Sequence, residues 1–207
     1  YKNGDGIPIN DKKSEKYFKK ALDSNQKDVI YDYALDLYEK NDKEKAANYF
    51  KLAADNGHIE SMFRYANMKN KGDGVSKNKD EAIGYFQIAA ENGQIEAMHE
   101  YGIMLFNGDG VDLDLTKAAH YFKTAASKNF LPSIYNYAMM LFKGCGVECD
   151  KKNAAKYFQI AADQGDLMSM KRLSLMFDKG DGIQVDQENA AKYYKMAADK
   201  GDAESMY

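Results

Sequence analysis

The chain is poor in the residues that usually mark chemistry or a special compartment. Of its 207 residues only two are proline, two cysteine and three histidine, and there is no tryptophan. So few prolines leave long helices open along the whole length. The cysteines, Cys145 and Cys149, share one C-x3-C stretch. That supplies two ligands without a second pair, so no metal site is expected and free thiols in a reducing compartment are. Basic charge is not in excess, with 29 Lys and Arg against 32 Asp and Glu, a net charge of −3 and a pI near 5.7. No basic field exists to hold a phosphate backbone, and nucleic acid is not an expected partner. No apolar run approaches the roughly 18 residues that a membrane span needs, and no signal peptide is visible. An asparagine-rich chain without a single Asn-x-Ser/Thr sequon argues against a luminal home. A cytoplasmic location is expected, with an endoplasmic-reticulum-associated one as the alternative.

What is present is repetition. Gly72, Gly108, Gly144 and Gly180 are each 36 residues apart, and so are Tyr85-Phe86, Tyr121-Phe122, Tyr157-Phe158 and Tyr193-Tyr194. The pair Ala89-Ala90 returns as Ala125-Ala126, Ala161-Ala162 and Ala197-Ala198. The phase holds back to Tyr49-Phe50 and then slips to a 32-residue step back to Tyr17-Phe18. At the slip, a four-residue-shorter "YEKNDKEK" from Tyr38 replaces the Gly-x-Gly loop of the other units. The chain therefore reads as one array, with complete units at 26–57, 58–93, 94–129, 130–165 and 166–201 and partial units at 1–25 and 202–207. Both ends look cut, so the array is expected to be a fragment of a longer chain.

Inside a unit the apolar spacing is helical. It predicts a first helix over about Ile59 to Lys71, with Met62, Tyr65, Ala66 and Met68 on one stripe. A second is predicted over about Lys79 to Glu91, carrying Ala82, Ile83, Tyr85, Phe86, Ala89 and Ala90. Such a hairpin cannot bury its apolar face alone, and stacking supplies the core.

The recurring Gly-Asp-Gly loop invites a chemical reading, and structural punctuation explains most of it. The first glycine follows the first helix, where a left-handed residue ends the helix. Asn78, Asn10, Asp114, Asp150, Asp186 and Asp42 are placed as N-caps of the second helices. Val75 and its counterparts are expected to tuck under the hairpin. Gly57, Gly93, Gly165 and Gly201 align with Asn25 and Asn129 at the turn between hairpins, and all six are expected at φ > 0. Pro132 falls in the first turn of a helix, where its missing N–H is not needed.

The aspartate between the glycines is the unexplained residue. A calcium loop fails at its end positions, a dinucleotide loop lacks its third glycine, and Gly-Lys-Ser/Thr never occurs. Cys145 replaces the aspartate in one unit. A turn-stabilising or solvated role is expected for Asp5, Asp73, Asp109 and Asp181. His58, His99 and His120 occupy three different positions of the unit, without a nearby second histidine for zinc, and are expected at the surface or in a groove. No nucleophile or metalloprotease signature is present, and no carboxylate pair is singled out. Neither catalytic, cofactor-binding nor metal-binding residues are assigned, and the chain is not expected to be an enzyme.

The pattern Met98-x-x-Tyr101-Gly102-x-x-Leu105, Gly108-x-Gly110-Val111-x-x-Asp114, Lys117-Ala118 with Tyr121-Phe122, then Ala125-Ala126, is similar to the Sel-1-like repeat, a relative of the tetratricopeptide repeat. The resemblance implies an all-α fold, a right-handed superhelical α/α solenoid of stacked helical hairpins. It also implies an adaptor or scaffold, as in ubiquitin-ligase complexes of endoplasmic-reticulum-associated degradation or in signalling complexes. The cysteine-rich branch linked to β-lactams staples each repeat with a cysteine pair. Here one pair lies inside a loop, so that activity is not carried over.

Positions that vary between units are the candidates for recognition. On the first helices two such positions lie four residues apart on one face. They are Tyr31 and Leu35, Phe63 and Asn67, His99 and Ile103, Tyr135 and Met139, Lys171 and Leu175. If first helices line the inner curve, as in related solenoids, these residues form a strip suited to a protein or peptide. The competing reading is that Leu35, Ile103, Met139 and Leu175 complete the contact between adjacent first helices. The expected function is a non-enzymatic interaction scaffold without cofactor, membrane span or small-molecule substrate. The alternative is a regulatory segment of a larger enzyme such as a protein kinase.

Overall fold

The computed structural model describes residues 26–201, and the readings of Asp5, Asn10, Tyr17-Phe18 and Asn25 and of the partial units at 1–25 and 202–207 lie outside them. The described residues form ten helices of 13 residues each and no strand. They are α1 (Lys27–Glu39), α2 (Lys43–Asp55), α3 (Ile59–Lys71), α4 (Lys79–Glu91) and α5 (Ile95–Asn107), followed by α6 (Leu115–Ser127), α7 (Leu131–Lys143), α8 (Lys151–Asp163), α9 (Leu167–Lys179) and α10 (Gln187–Asp199). None is long and apolar enough to cross a membrane. The chain divides after Asn92 into two compact units. Within each, helices pair as hairpins, and the second helix of one hairpin packs on the first helix of the next.

Helix boundaries follow from caps. Asn78, Asp114, Asp150, Asp186 and Asp42 each accept a hydrogen bond from the backbone N–H three residues on, which satisfies an orphan donor of the second helix. First helices α3, α5, α7 and α9 stop at a left-handed glycine whose N–H returns to the carbonyl of Met68, Met104, Met140 or Met176. The turn between hairpins is left-handed at Gly57, Gly93, Gly165, Gly201 and Asn129, as aligned. The short unit keeps both helices, α1 and α2, and turns between them on a second left-handed asparagine, Asn41. Pro132 sits in the first turn of α7.

The core is built from the repeated pairs. Phe50, Phe86, Phe122, Phe158 and Tyr193, one per second helix, are essentially fully buried, and the alanine pairs beside them let neighbouring backbones approach. Each such aromatic is worth about 2 to 3 kcal/mol in burial. The first aromatic of the pair meets a tyrosine of its own hairpin edge to face. Tyr33–Tyr49, Tyr65–Tyr85, Tyr101–Tyr121 and Tyr137–Tyr157 have ring centroids 5.0 to 5.4 Å apart. Val75 packs against the cluster of Ala34, Ala46, Phe50, Tyr65 and Met68.

A buried serine recurs near the start of first helices at Ser61, Ser133 and Ser169. Ser61 Oγ lies 2.8 Å from His58 Nδ1 and Ser133 Oγ 2.9 Å from His99 Nδ1, while Ser169 Oγ finds no partner among the described residues. Ser169→Ala should therefore leave stability unchanged or raise it by up to about 1 kcal/mol. Ser133→Ala, which strands a buried imidazole nitrogen, should cost about 1 to 2 kcal/mol. Urea unfolding of the two variants checks this, and an equal cost for both would defeat the distinction.

Candidate functional site

At Asp73 and Asp181 the inter-glycine aspartate does more than stabilise its own turn: it fastens its loop to the preceding hairpin. Asp73 accepts hydrogen bonds from Tyr38 Oη (2.9 Å) and from Lys43 Nζ (2.7 Å), both on the preceding hairpin. The Lys43 bond, followed by that of Tyr38, holds its carboxyl below the ordinary carboxylate value. Asp181 accepts from Lys151 Nζ at 2.5 Å in the same way. The second glycine makes this possible. A Cβ on Gly74 would stand 2.6 Å from Lys43 backbone, and one on Gly146 or Gly182 would collide with Leu115 or Lys151. The loop is seated on the first turn of the second helix before it. Among the described residues, no group of three or more His, Cys, Asp or Glu is placed to hold a metal ion.

The strip residues are partly covered and have distinct roles. Tyr31 packs on Phe50 and on the ring of His58, whose own centroid is 4.5 Å away. Leu35 leans on the core cluster, Phe63 on Phe86, and Asn67 bonds back to the carbonyl of Phe63. His99 is not at the surface. It is 9% exposed, bonded to Ser133 and packed on Phe122 and Phe130, because its position is where neighbouring first helices meet. Burial alone lowers its pKa from 6.5 to about 4, so it is neutral there. His58 is half-buried as the N-cap of α3, and His120 is exposed on α6. Lys171 and Leu175 are half-buried on α9.

Three of the strip residues converge. Ile103 on α5 with Tyr135 and Met139 on α7 line a groove of about 370 Å³ in the second unit. Its floor and walls add Phe106, Phe122 and Met140, and its polar atoms come from Asn107, Asn136, Lys143 and Cys145. None of these seven belongs to the strip: the sequence marks Phe122 as a repeated core aromatic and Cys145 as the residue in place of an aspartate, and does not mark the other five. Phe106 is 37% exposed, a large apolar side chain left in the open at a helix end, and nothing in the repeat pattern marks it. Tyr135 packs on Phe158 with the rings tilted and their centroids 5.9 Å apart, and burial raises its pKa. The lining is predominantly apolar with few polar groups, the make-up of a concavity that can receive an apolar group.

Comparison with known proteins places the architecture. The family model described as Sel1 repeat matches residues 1–26, 29–58, 59–94, 95–130, 131–166 and 167–202. Among curated proteins none matches. Among solved structures the chain is similar to a protective antigen present in uropathogenic Escherichia coli strains, with a TM-score of 0.84 and 24% identity over 93% of this chain. It spans 42% of that protein's length. A Sel1 repeat protein from Oxalobacter formigenes matches with a TM-score of 0.75 and 28% identity, over 87% of this chain and 75% of the other. YrrB, described as a TPR protein with an unusual peptide-binding site, matches with a TM-score of 0.58 and 16% identity, over 91% of this chain and 94% of its own.

Proposed function

We propose that this chain, which belongs to the Sel1 repeat family, is a protein-interaction scaffold that receives a segment of a partner protein on its first helices. The repeat fold is one whose members are generally interaction modules rather than catalysts. The observation that carries the reading here is the groove between α5 and α7, where strip residues Ile103, Tyr135 and Met139 surround an open apolar space. A peptide-binding site in the TPR protein YrrB accords with this use of the fold. Of the other strip residues, His99, Lys171 and Leu175 lie on first helices of the same unit, and Tyr31, Leu35, Phe63 and Asn67 hold the corresponding positions on the first helices of the first unit. The ubiquitin-ligase and signalling complexes implied by the resemblance are the assemblies in which to seek the partner. No feature of the described residues favours a regulatory segment of a larger enzyme.

The test uses Ile103→Glu with Met139→Glu, which charges the groove walls at half-exposed positions. Proteins retained by the immobilised wild-type chain and lost from the variant, at equal helical content, are the expected result. Retention of the same set by both would move the binding surface elsewhere.

A further inference from the structure

The repeats offer an internal comparison that explains why this groove is open. In the short unit, the ring of Tyr38 at the end of α1 is covered by Lys43, whose Nζ stands 5.6 Å from its centroid and is bonded to Asp73. In the repeat after the groove, the ring of Phe142 at the end of α7 is covered by Lys151 at 5.2 Å and by the guanidinium of Arg172 at 5.3 Å, and Lys151 is bonded to Asp181. Aromatic ring, lysine and aspartate thus form one recurring ionic filling, to which Arg172 adds a second cation at Phe142. Stepping back 36 residues from Phe142, Lys151, Arg172 and Asp181 gives Phe106, Leu115, Asn136 and Cys145. The ring is kept while all three charges are gone together. Among the described residues no cation stands over Phe106, and Asn136 and Cys145 line the space that results.

Which occupant suits that space follows from the joint loss. A partner's arginine or lysine could stack on Phe106, but elsewhere in the array the cation over the ring comes with its anion. Here Cys145 stands in the place of that anion, and a cation entering a lining of Ile103, Phe122, Tyr135, Met139 and Met140 would lose water without gaining a countercharge. A neutral apolar side chain loses nothing by entry, and the methionines adapt to its shape. The lining contains one charged group, Lys143, and no acid, so a carboxylate is favoured beside the anchor. The amides of Asn107 and Asn136 can serve the partner's backbone.

We infer that the groove between α5 and α7 is a specificity pocket for an aliphatic or aromatic anchor side chain next to Asp or Glu in a partner segment, opened by the replacement of those charges with Leu115, Asn136 and Cys145. This rests on the scaffold reading and names what the scaffold selects.

The experiment is selection from a displayed random heptapeptide library on the wild-type chain and on two variants. The first variant, Leu115→Lys with Asn136→Arg and Cys145→Asp, restores the ionic filling. It is expected to remain folded, because the repeat after the groove carries the same set. The second, Lys143→Glu, reverses the charge beside the pocket. The wild type should enrich peptides with Leu, Ile, Met or Phe beside an acid, synthetic copies of which bind the restored variant at least about tenfold more weakly. On Lys143→Glu the anchor should persist while the flanking preference turns basic. Enriched peptides without a common apolar residue, basic flanks on the wild type, equal binding to the restored variant, or no enrichment at all would each overturn the inference. Should the restored variant fail to fold, the flank reversal on Lys143→Glu decides alone. Equal binding to the restored variant leaves the scaffold reading intact, since that reading is judged by retained partner proteins and not by this pocket.

Discussion

Gly146→Ala should destabilise the array by about 3 kcal/mol or more, against about 1 kcal/mol for Gly57→Ala. Both glycines have a left-handed backbone, φ 68° and 80°, where alanine costs about 1 to 2 kcal/mol. They differ in surroundings. A Cβ on Gly57 meets nothing within 4 Å, whereas one on Gly146 would collide with the carbonyl and side chain of Leu115. That collision lifts the loop off the start of α6 and exposes the contact that registers one hairpin on the next. Gly182→Ala, which strikes Lys151 and separates it from Asp181, should behave like Gly146→Ala. Urea unfolding of the three variants is the check. Equal costs would mean that the glycines serve the turn alone and that close approach contributes nothing.

The features that were legible in the sequence are those set within one hairpin. The 36-residue step, the bounds of α3 and α4, the N-caps at Asn78 and Asp114 and the left-handed Asn129 depend on neighbours a few residues away. The role of Asp73 was not legible, because its partners Tyr38 and Lys43 lie 35 and 30 residues upstream on another hairpin. Contact across hairpins depends on how helices stack, which periodicity does not encode. The same limit applies to His99. A polar residue at a variable position reads as surface, yet α7 presents Ser133 to it, the capping residue before α7 presents Phe130, and α6 presents Phe122. Asn41 was illegible for a local reason: the short unit has no glycine in its turn, and an asparagine takes the left-handed conformation in its place. Of the groove, the strip contributed Ile103, Tyr135 and Met139, while Phe106 and Lys143 come from the last turns of α5 and α7, where a helical stripe gives no reason to look.

Between pH 7.5 and about 4.5 the wild-type chain should lose about 2.5 kcal/mol more stability than His99→Gln. His99 is packed by Phe122 and Phe130 and bonded to Ser133, and no charged group contributes to its shift, which burial alone produces. In the folded chain its pKa is about 4, against 6.5 for an unburied histidine. At pH values between the two, the unfolded chain binds the proton and the folded one does not, so acid favours unfolding. The stability is fully present above pH 6.5 and is lost progressively as the pH falls toward 4. Glutamine keeps a hydrogen bond to Ser133 without titrating. The carboxylates held low, Asp42, Asp55, Asp73, Glu81, Asp150 and Asp186, lose their contributions at lower pH and do so in both proteins. His58, lowered chiefly by its own burial, is likewise common to both. The difference between the two stability profiles therefore isolates His99. Parallel profiles across the whole range would show that its ring reaches water in the folded state, and that it belongs to the binding face and not to the packing between α5 and α7.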